Sequence, residues 1–336
     1  MAAWLLVVAA MVAAMVMLGG ATRLTHSGLS MVQWQPLMGT LPPLSDSAWQ
    51  ETFEKYKQFP EYKKINQGMT LSEFKGIFYY EYSHRVLGRG IGLVFAVPFL
   101  WFLLTGRIER RRRKVLYGLF LLGGLQGLIG WWMVKSGLVD RPDVSHYRLT
   151  VHLGVAFLIF GALVWVANDL LSKFGAQAVA TDAVRGLRAW SWIAVAVVFL
   201  QVLSGGLVAG LDAGFVYNSF PTMNGYWLPP ELAEMSPWWM NMFENVVTVQ
   251  FDHRIGAVIC TVLLLGLWFK ARTLALGRAA RLALILMLVA LALQLALGVS
   301  TLLLIIPVWL AVLHQGGALL LFATSMHFAL CLRRTT

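Results

Sequence analysis

The chain has 336 residues, 58% of them hydrophobic and only 13% charged. Soluble domains are about half apolar and a quarter charged, so this composition speaks against a soluble enzyme and for an all-α integral membrane protein. The net charge of +11 would suit a nucleic-acid binder, but the placement of the basic residues along the chain argues against that.

Eight stretches approach the ~20 apolar residues needed to cross a bilayer core: roughly 2–19, 86–105, 115–133, 149–169, 189–209, 255–270, 282–304 and 308–331. The first lacks a basic leader, and Gly19-Gly20-Ala21-Thr22-Arg23 is a weak cleavage site. It therefore reads as a retained helix rather than a signal peptide; a short cytoplasmic segment before it is compatible with this. A long segment follows. Asp46 is expected to cap a helix carrying Trp49, Phe53 and Tyr56 on one face, a spacing that suits a helix on the membrane surface, and Pro60 to stop it. Thr70-Leu71-Ser72-Glu73 is a capping box. It should start a helix that runs unbroken through Phe74, Phe78, Glu81 and His84 into the second span.

Arg107 and Arg110 through Lys114 follow the second span; Lys173, Arg185 and Arg188 follow the fourth; Lys270, Arg272, Arg278 and Arg281 follow the sixth; Arg333 and Arg334 end the chain. Segment 210–252 contains no Lys or Arg. The positive-inside rule then places both termini in the cytoplasm and the odd-numbered connections outside. These charges read as topology signals, with the lipid bilayer as the partner and no nucleic acid. In the second long outer segment Ser236-Pro237 is expected to start a helix matching the one at Thr70, with Phe243 ten residues before His253 as Phe74 is before His84. The two cysteines, Cys260 and Cys331, both fall in spans, so a structural disulfide is not expected.

The spans form a repeat. Glu81-Tyr82-Ser83-His84 aligns with Gln250-Phe251-Asp252-His253 at an offset of 169, and Gln126 through Gly130 with Gln294 through Gly298 at 168. His152 aligns with His314, and Gly19-Gly20, after the first span, with Gly205-Gly206. Four helices per copy is an even number, so the copies share one orientation. The expected architecture is two pseudo-symmetric four-helix bundles related by a parallel repeat, residues 1–175 and 185–336.

Each copy carries two histidines at the outer side of the membrane: His84 and His152, then His253 and His314. Ionisable groups in a bilayer are costly and usually functional. Two imidazoles facing each other across a bundle are the ligand set of a six-coordinate haem iron. Gly88, Gly90 and Gly92 after His84, and Gly316 and Gly317 after His314, would let a flat ring approach, though they equally favour close helix packing. His26, His146 and His327 have no repeat partner and read as loop or helix-end residues. Arg85, Arg89 and Arg254 lie within a turn of the histidines, placed either to pair with haem propionates or to mark the interface. Glu81 precedes His84 by three residues, where the second copy has Gln250. A carboxylate can move protons and an amide cannot, so the first pair is expected to be reactive and the other pair to form a fixed electron-transfer centre.

At these residues the chain resembles the haem A synthase family, over nearly its whole length. The resemblance rests on Gly19 through Thr25 with Ser27-Gly28-Leu29-Ser30, Pro60-Glu61-Tyr62, Glu73-Phe74-Lys75, Glu81 through Gly88, Ala209 through Gly214, Tyr217-Asn218, Phe220-Pro221, Met223-Asn224-Gly225 and the four histidine contexts. It implies an oxidoreductase that converts a methyl group of haem O to the formyl group of haem A for terminal oxidases. It implies that haem O is received at His84 and His152 beside Glu81, and that a permanent haem b sits on His253 and His314. The implied setting is the bacterial inner membrane, or alternatively the mitochondrial one, with the haem sites toward the periplasmic side. A membrane electron donor, haem O synthase and oxidase-assembly proteins are the implied partners. The chain lacks the outer-loop cysteine pair of one branch of the family, so it resembles the proteobacterial and mitochondrial branch.

A di-haem b cytochrome taking electrons from quinol is the rival reading; four histidines at one depth disfavour transmembrane transfer. A transporter of parallel repeats would need broken helices near the midplane, where Gln126 and Gln294 read more simply as helix–helix hydrogen bonds. A prenyl-transferring enzyme would need paired aspartate-rich motifs, and Asp140 and Asp143 stand alone.

Overall fold

The computed structural model describes residues 1–32, 41–138, 142–171 and 182–333; Asp140, Lys173 and Arg334 lie outside them. The helices are α1 (Ala2–Leu24), α2 (Asp46–Tyr56), α3 (Pro60–Lys64), α4 (Leu71–Leu104), α5 (Arg110–Gly137), α6 (His146–Leu171), α7 (Asp182–Gly210), α8 (Asn241–Glu244), α9 (Val246–Ala271), α10 (Arg278–Leu303) and α11 (Val308–Arg333). Eight of them, α1, α4 to α7 and α9 to α11, are long and apolar enough to cross a membrane. Among the described residues the only β pairing is an isolated bridge between Met223 and Tyr226. The protein is thus an all-α, multi-pass membrane protein.

The helices overrun the apolar windows because a hydrogen-bonded ladder continues as long as the backbone permits it. Gly19 and Gly20 lie inside α1, not after it. The hydroxyls of Thr22 and Thr25 donate to Leu18 O and Ala21 O, each at 2.8 Å, and help to close the end of that helix.

Two compact units are distinguished, residues 10–156 and residues 1–9 with 157–336. In the first, the Thr70 capping box forms as expected, with Glu73 Oε2 accepting from Thr70 N at 2.8 Å, and α4 runs 34 residues without a break. Helix α2 differs from expectation in three ways. Ser45, not Asp46, is its cap, accepting from Ala48 N at 3.2 Å. Pro60 starts α3 rather than stopping α2, since a proline costs nothing where the N–H would be unpaired. Its aromatic face is covered by protein and not by lipid: Trp49 meets Phe78 at 4.9 Å between centroids, and Phe53 and Tyr56 each meet Phe74 at 5.0 Å.

In the second unit α7 packs against α9 and α11, and α10 against α11. The segment before α9 also departs from expectation. Ser236-Pro237 leads only into one 3-10 turn, Trp238–Met240, and the short α8. Asn245 then breaks the chain into extended backbone and caps α9, accepting from Val247 N at 2.9 Å and Thr248 N at 3.1 Å. Phe243 is accordingly 39% exposed, whereas Phe74 is fully buried. His327 lies in the last two turns of α11, with Nδ1 2.7 Å from Asn168 Oδ1. Cys260 and Cys331 are both buried, and neither is in a disulfide among the described residues.

Candidate functional site

The four histidines occupy matched places in the two units. His152 and His314 are each the seventh residue of their helices, α6 and α11. Each of the four rings is half-buried and lies against a glycine of a neighbouring helix. A Cβ on Gly19 would stand 3.2 Å from the ring of His84, and one on Gly205 3.2 Å from that of His253. A Cβ on Gly130 would stand 3.0 Å from His152, and one on Gly298 2.7 Å from His314. A side chain at Gly298 would therefore have to displace its ring, and one at the other three places would press tightly on its ring; the pairs Gly19/Gly205 and Gly130/Gly298 follow the repeat. The glycines after the histidines serve helix packing: Gly88 faces the Met15 side chain, and Gly317 the Gln294 amide.

The hydrogen bonding around the rings differs between the units. Gln126 Nε2 donates to His152 O at 2.9 Å, as a helix–helix bond from α5 to α6. Gln126 and its counterpart Gln294 each keep a buried Oε1 without a partner among the described residues. His253 is held twice from α7: Gln201 Nε2 donates to its carbonyl at 2.8 Å and lies 3.1 Å from Nδ1, and Ser204 Oγ lies 3.2 Å from Nδ1. Among the described residues His84 has no hydrogen bond of this kind, because the residues at the matching places of α1 are Met15 and Leu18.

Glu81 is 4% exposed and accepts from Arg85 Nε at 2.7 Å through Oε1. Arg85 Nη2 also donates to Met31 O at 2.9 Å. In the second unit the equivalent carboxylate is missing, and Gln250 Nε2 donates to Tyr217 O at 3.1 Å. Arg254 binds the same segment, with Nη2 donating to Tyr217 O and Nη1 to Ser219 O, both at 2.9 Å. The two arginines thus tie the outer segments to the histidine helices, a role the sequence did not reveal. Ser30 does likewise in the first unit, donating to Ser27 O at 2.7 Å and Ile77 O at 3.3 Å. The wall beside Glu81 is completed by Gly28, where a Cβ would stand 3.9 Å from Glu81 Oε2.

Sequence reasoning missed Glu61. It is 3% exposed and accepts from the hydroxyl of Tyr56 at 3.1 Å, and Tyr56 in turn accepts from Asn66 Nδ2 at 2.7 Å. Burial pushes its carboxyl up to about 8, and the charges of Glu81 and Asp143 push the same way, against the opposing hydrogen bond from Tyr56. A buried Tyr–Glu pair is a tertiary feature that periodicity cannot show.

Tested against a haem, the donor set fits. Imidazoles are a usual axial ligand for haem iron. His152 and His314 each keep a buried Nδ1 without a hydrogen-bond partner, and the glycines leave the space that side chains would fill.

Residues 2–326 match the model of the family described as cytochrome oxidase assembly protein, COX15-CtaA. The heme A synthase of Nitrosospira multiformis is 55% identical over 97% of this chain and 91% of its own length. That of Nitrosomonas eutropha is 49% identical over the same shares, and that of Paramagnetospirillum magneticum 51% over 95% and 90%. The rival reading as a di-haem cytochrome gains no support from these relatives. On the strength of these matches, the chain belongs to the COX15-CtaA family of cytochrome oxidase assembly proteins.

Proposed function

We propose that this protein is a haem A synthase, an oxidoreductase that carries a methyl group of haem O to the formyl group of haem A in two functionally different halves, 1–175 and 185–336. The observation that carries the division is the unequal surroundings of otherwise matched histidines. The first pair has the buried Glu81–Arg85 ion pair beside it and a His84 ring with no hydrogen bond among the described residues; the second has Gln250 and a His253 ring met at Nδ1 by Ser204 of α7. A loosely held ligand beside a titratable group suits a substrate that must enter, react and leave. A ligand fixed by hydrogen bonds suits a resident cofactor, since such partners orient the imidazole and strengthen binding.

His84 and His152 would hold haem O, and His253 and His314 a permanent haem b. Haem b would supply one-electron transfer. The side chains do the remaining work. Glu81 is the proton-accepting group beside the substrate, and Arg85 pairs with its carboxylate and orients it. Arg85 and Arg254 would meet haem propionates through their guanidinium N–H groups, in addition to the carbonyls they already bind. The aromatic outer segments limit water at the first site. By the positive-inside rule, the basic loops favour both termini in the cytoplasm and the histidines toward the periplasmic side of the inner membrane. Haem O synthase, an electron donor in the membrane and oxidase-assembly proteins are the partners this reading calls for.

The test is chemical. The full chain is purified from cells that make haem O, and its non-covalent haems are extracted and identified by chromatography with mass detection. Wild type should carry haem b with haem O, haem A or an oxidised intermediate. Glu81→Ala should keep the haems but lose on the order of 10²-fold or more in haem A formation. Haem b alone at two per chain would replace this reading with an electron-transfer cytochrome.

A further inference from the structure

The outer segment of the first unit contains an acid that the reading above does not use. Glu61 is buried at the start of α3, against Tyr56 of the aromatic cluster Trp49, Phe53, Tyr56, Phe74 and Phe78. Carboxyl groups are almost never fully buried without a partner. The partner here is a phenol rather than a cation, so the surroundings favour the neutral acid. Phe74, Phe78 and Glu81 all lie on the buried side of α4, which continues that shell toward His84. The groups facing Glu61 are Tyr56 from α2, Asn66 after α3, Glu81 with its Arg85 from α4, and Asp143 before α6. Tyr62 is packed on Phe53 and Tyr56, and Lys63 and Lys64 on α3 are exposed. Asp143 is exposed and offers a way to outer water.

We propose that Glu61 is the second proton-carrying carboxyl of the first site, exchanging a proton with Glu81 and releasing it to the outer aqueous side. This rests on the assignment of Glu81 to the oxidation of haem O. At rest Glu61 holds the proton and Glu81 is the carboxylate paired with Arg85. When Glu81 takes a proton from the reacting site its charge vanishes, and with it the repulsion that kept Glu61 protonated. Glu61 then gives its proton to water near Asp143. The proton on Glu81 moves to the vacated Glu61 carboxylate, and the resting state returns. One proton has entered from the site and one has left, with no other change in either carboxyl.

The experiment follows haem A formation from haem O against pH in the full, haem b-loaded protein. Wild-type turnover should fall as pH rises through about 8, where Glu61 loses its proton and the pair carries two negative charges. Glu61→Gln, which can still accept from Tyr56, should lower turnover on the order of 10²-fold and abolish that alkaline limb, with haem b content unchanged. Tyr56→Phe should move the limb to higher pH, because the lost hydrogen bond favoured the ionised form; a purely structural role would not shift it. Wild-type turnover and an unchanged limb in Glu61→Gln would overturn the inference alone. A wild type that leaves haem O unaltered would overturn the functional reading, and this inference with it.

Discussion

Gln201 and Ser204 on α7 correspond to Met15 and Leu18 on α1, and this exchange of two polar for two apolar side chains distinguishes His253 from His84. Ser204 Oγ can accept the Nδ1 proton, which leaves Nε2 free for iron and fixes the ring plane. Gln201→Met, which gives α7 the residue of α1 at similar volume, should weaken haem b retention by about 10- to 100-fold and shift its midpoint potential. Loss of haem to a competing haem-binding protein, followed by redox titration, measures both. Retention and potential equal to wild type would assign Gln201 to packing alone. The histidines themselves were legible in the sequence because they recur at a fixed offset. Gln201 was not, because it lies where the repeat fails, and an alignment of two halves draws attention only to what matches. Glu61 stood in the sequence within Pro60-Glu61-Tyr62, yet nothing local distinguishes a buried glutamate from a solvated one.

At the scale of elements, the long helices were readable from apolar length, and the start of α4 from its capping box, because both are local signals. What failed were the connections. Ser236-Pro237 has the form of a helix start, but Asn245 supplies a better cap with two backbone N–H groups and so sets where α9 begins. The α10–α11 turn was equally opaque: Ile305 and Ile306 both adopt positive φ, 59° and 56°. This conformation is a genuine outlier for a β-branched side chain and costs about 1–2 kcal/mol per residue. Ile306 packs over Gly214, whereas Ile305 is 62% exposed and gains little from its side chain. Ile305→Gly should therefore raise the thermal midpoint of the detergent-solubilised protein by relieving ~1 kcal/mol; a lowered midpoint would mean that the side chain is held by lipid or partner contacts. The helix interfaces at the histidines carry a stricter demand. A Cβ at Gly298 would fall 2.7 Å from His314, closer than atoms of these types can stand, so Gly298→Ala must displace the ring. Its expected outcome is loss of low-spin haem b absorption with the helices still folded by circular dichroism. Gly277→Ala, at a position with no neighbouring atoms, is the control.

At the scale of the whole molecule, the two copies keep the same histidine–glycine framework and differ in what surrounds it. If both sites were equivalent, removing either histidine pair would cost the same haem. The unequal hydrogen bonding argues otherwise. His253→Ala should lose the tightly held haem b, because the ring and its Ser204 contact disappear together, although Gln201 can still donate to the residue's carbonyl. His84→Ala should leave haem b in place, because His84 is not one of the second pair of histidines, and should abolish retention of haem O and formation of haem A. Pyridine haemochrome spectra with extracted-haem chromatography on the two variants decide the matter in one preparation each. Equal loss of haem b from both variants would mean that the two sites share one cofactor pool, and full haem b retention by His253→Ala would reject its assignment as a ligand. The predicted contrast follows from evolution by duplication acting on a physical constraint. The glycines cannot change without pressing on the rings, so divergence falls on the residues around them, where Glu81 corresponds to Gln250 and Met15 to Gln201 in the repeat.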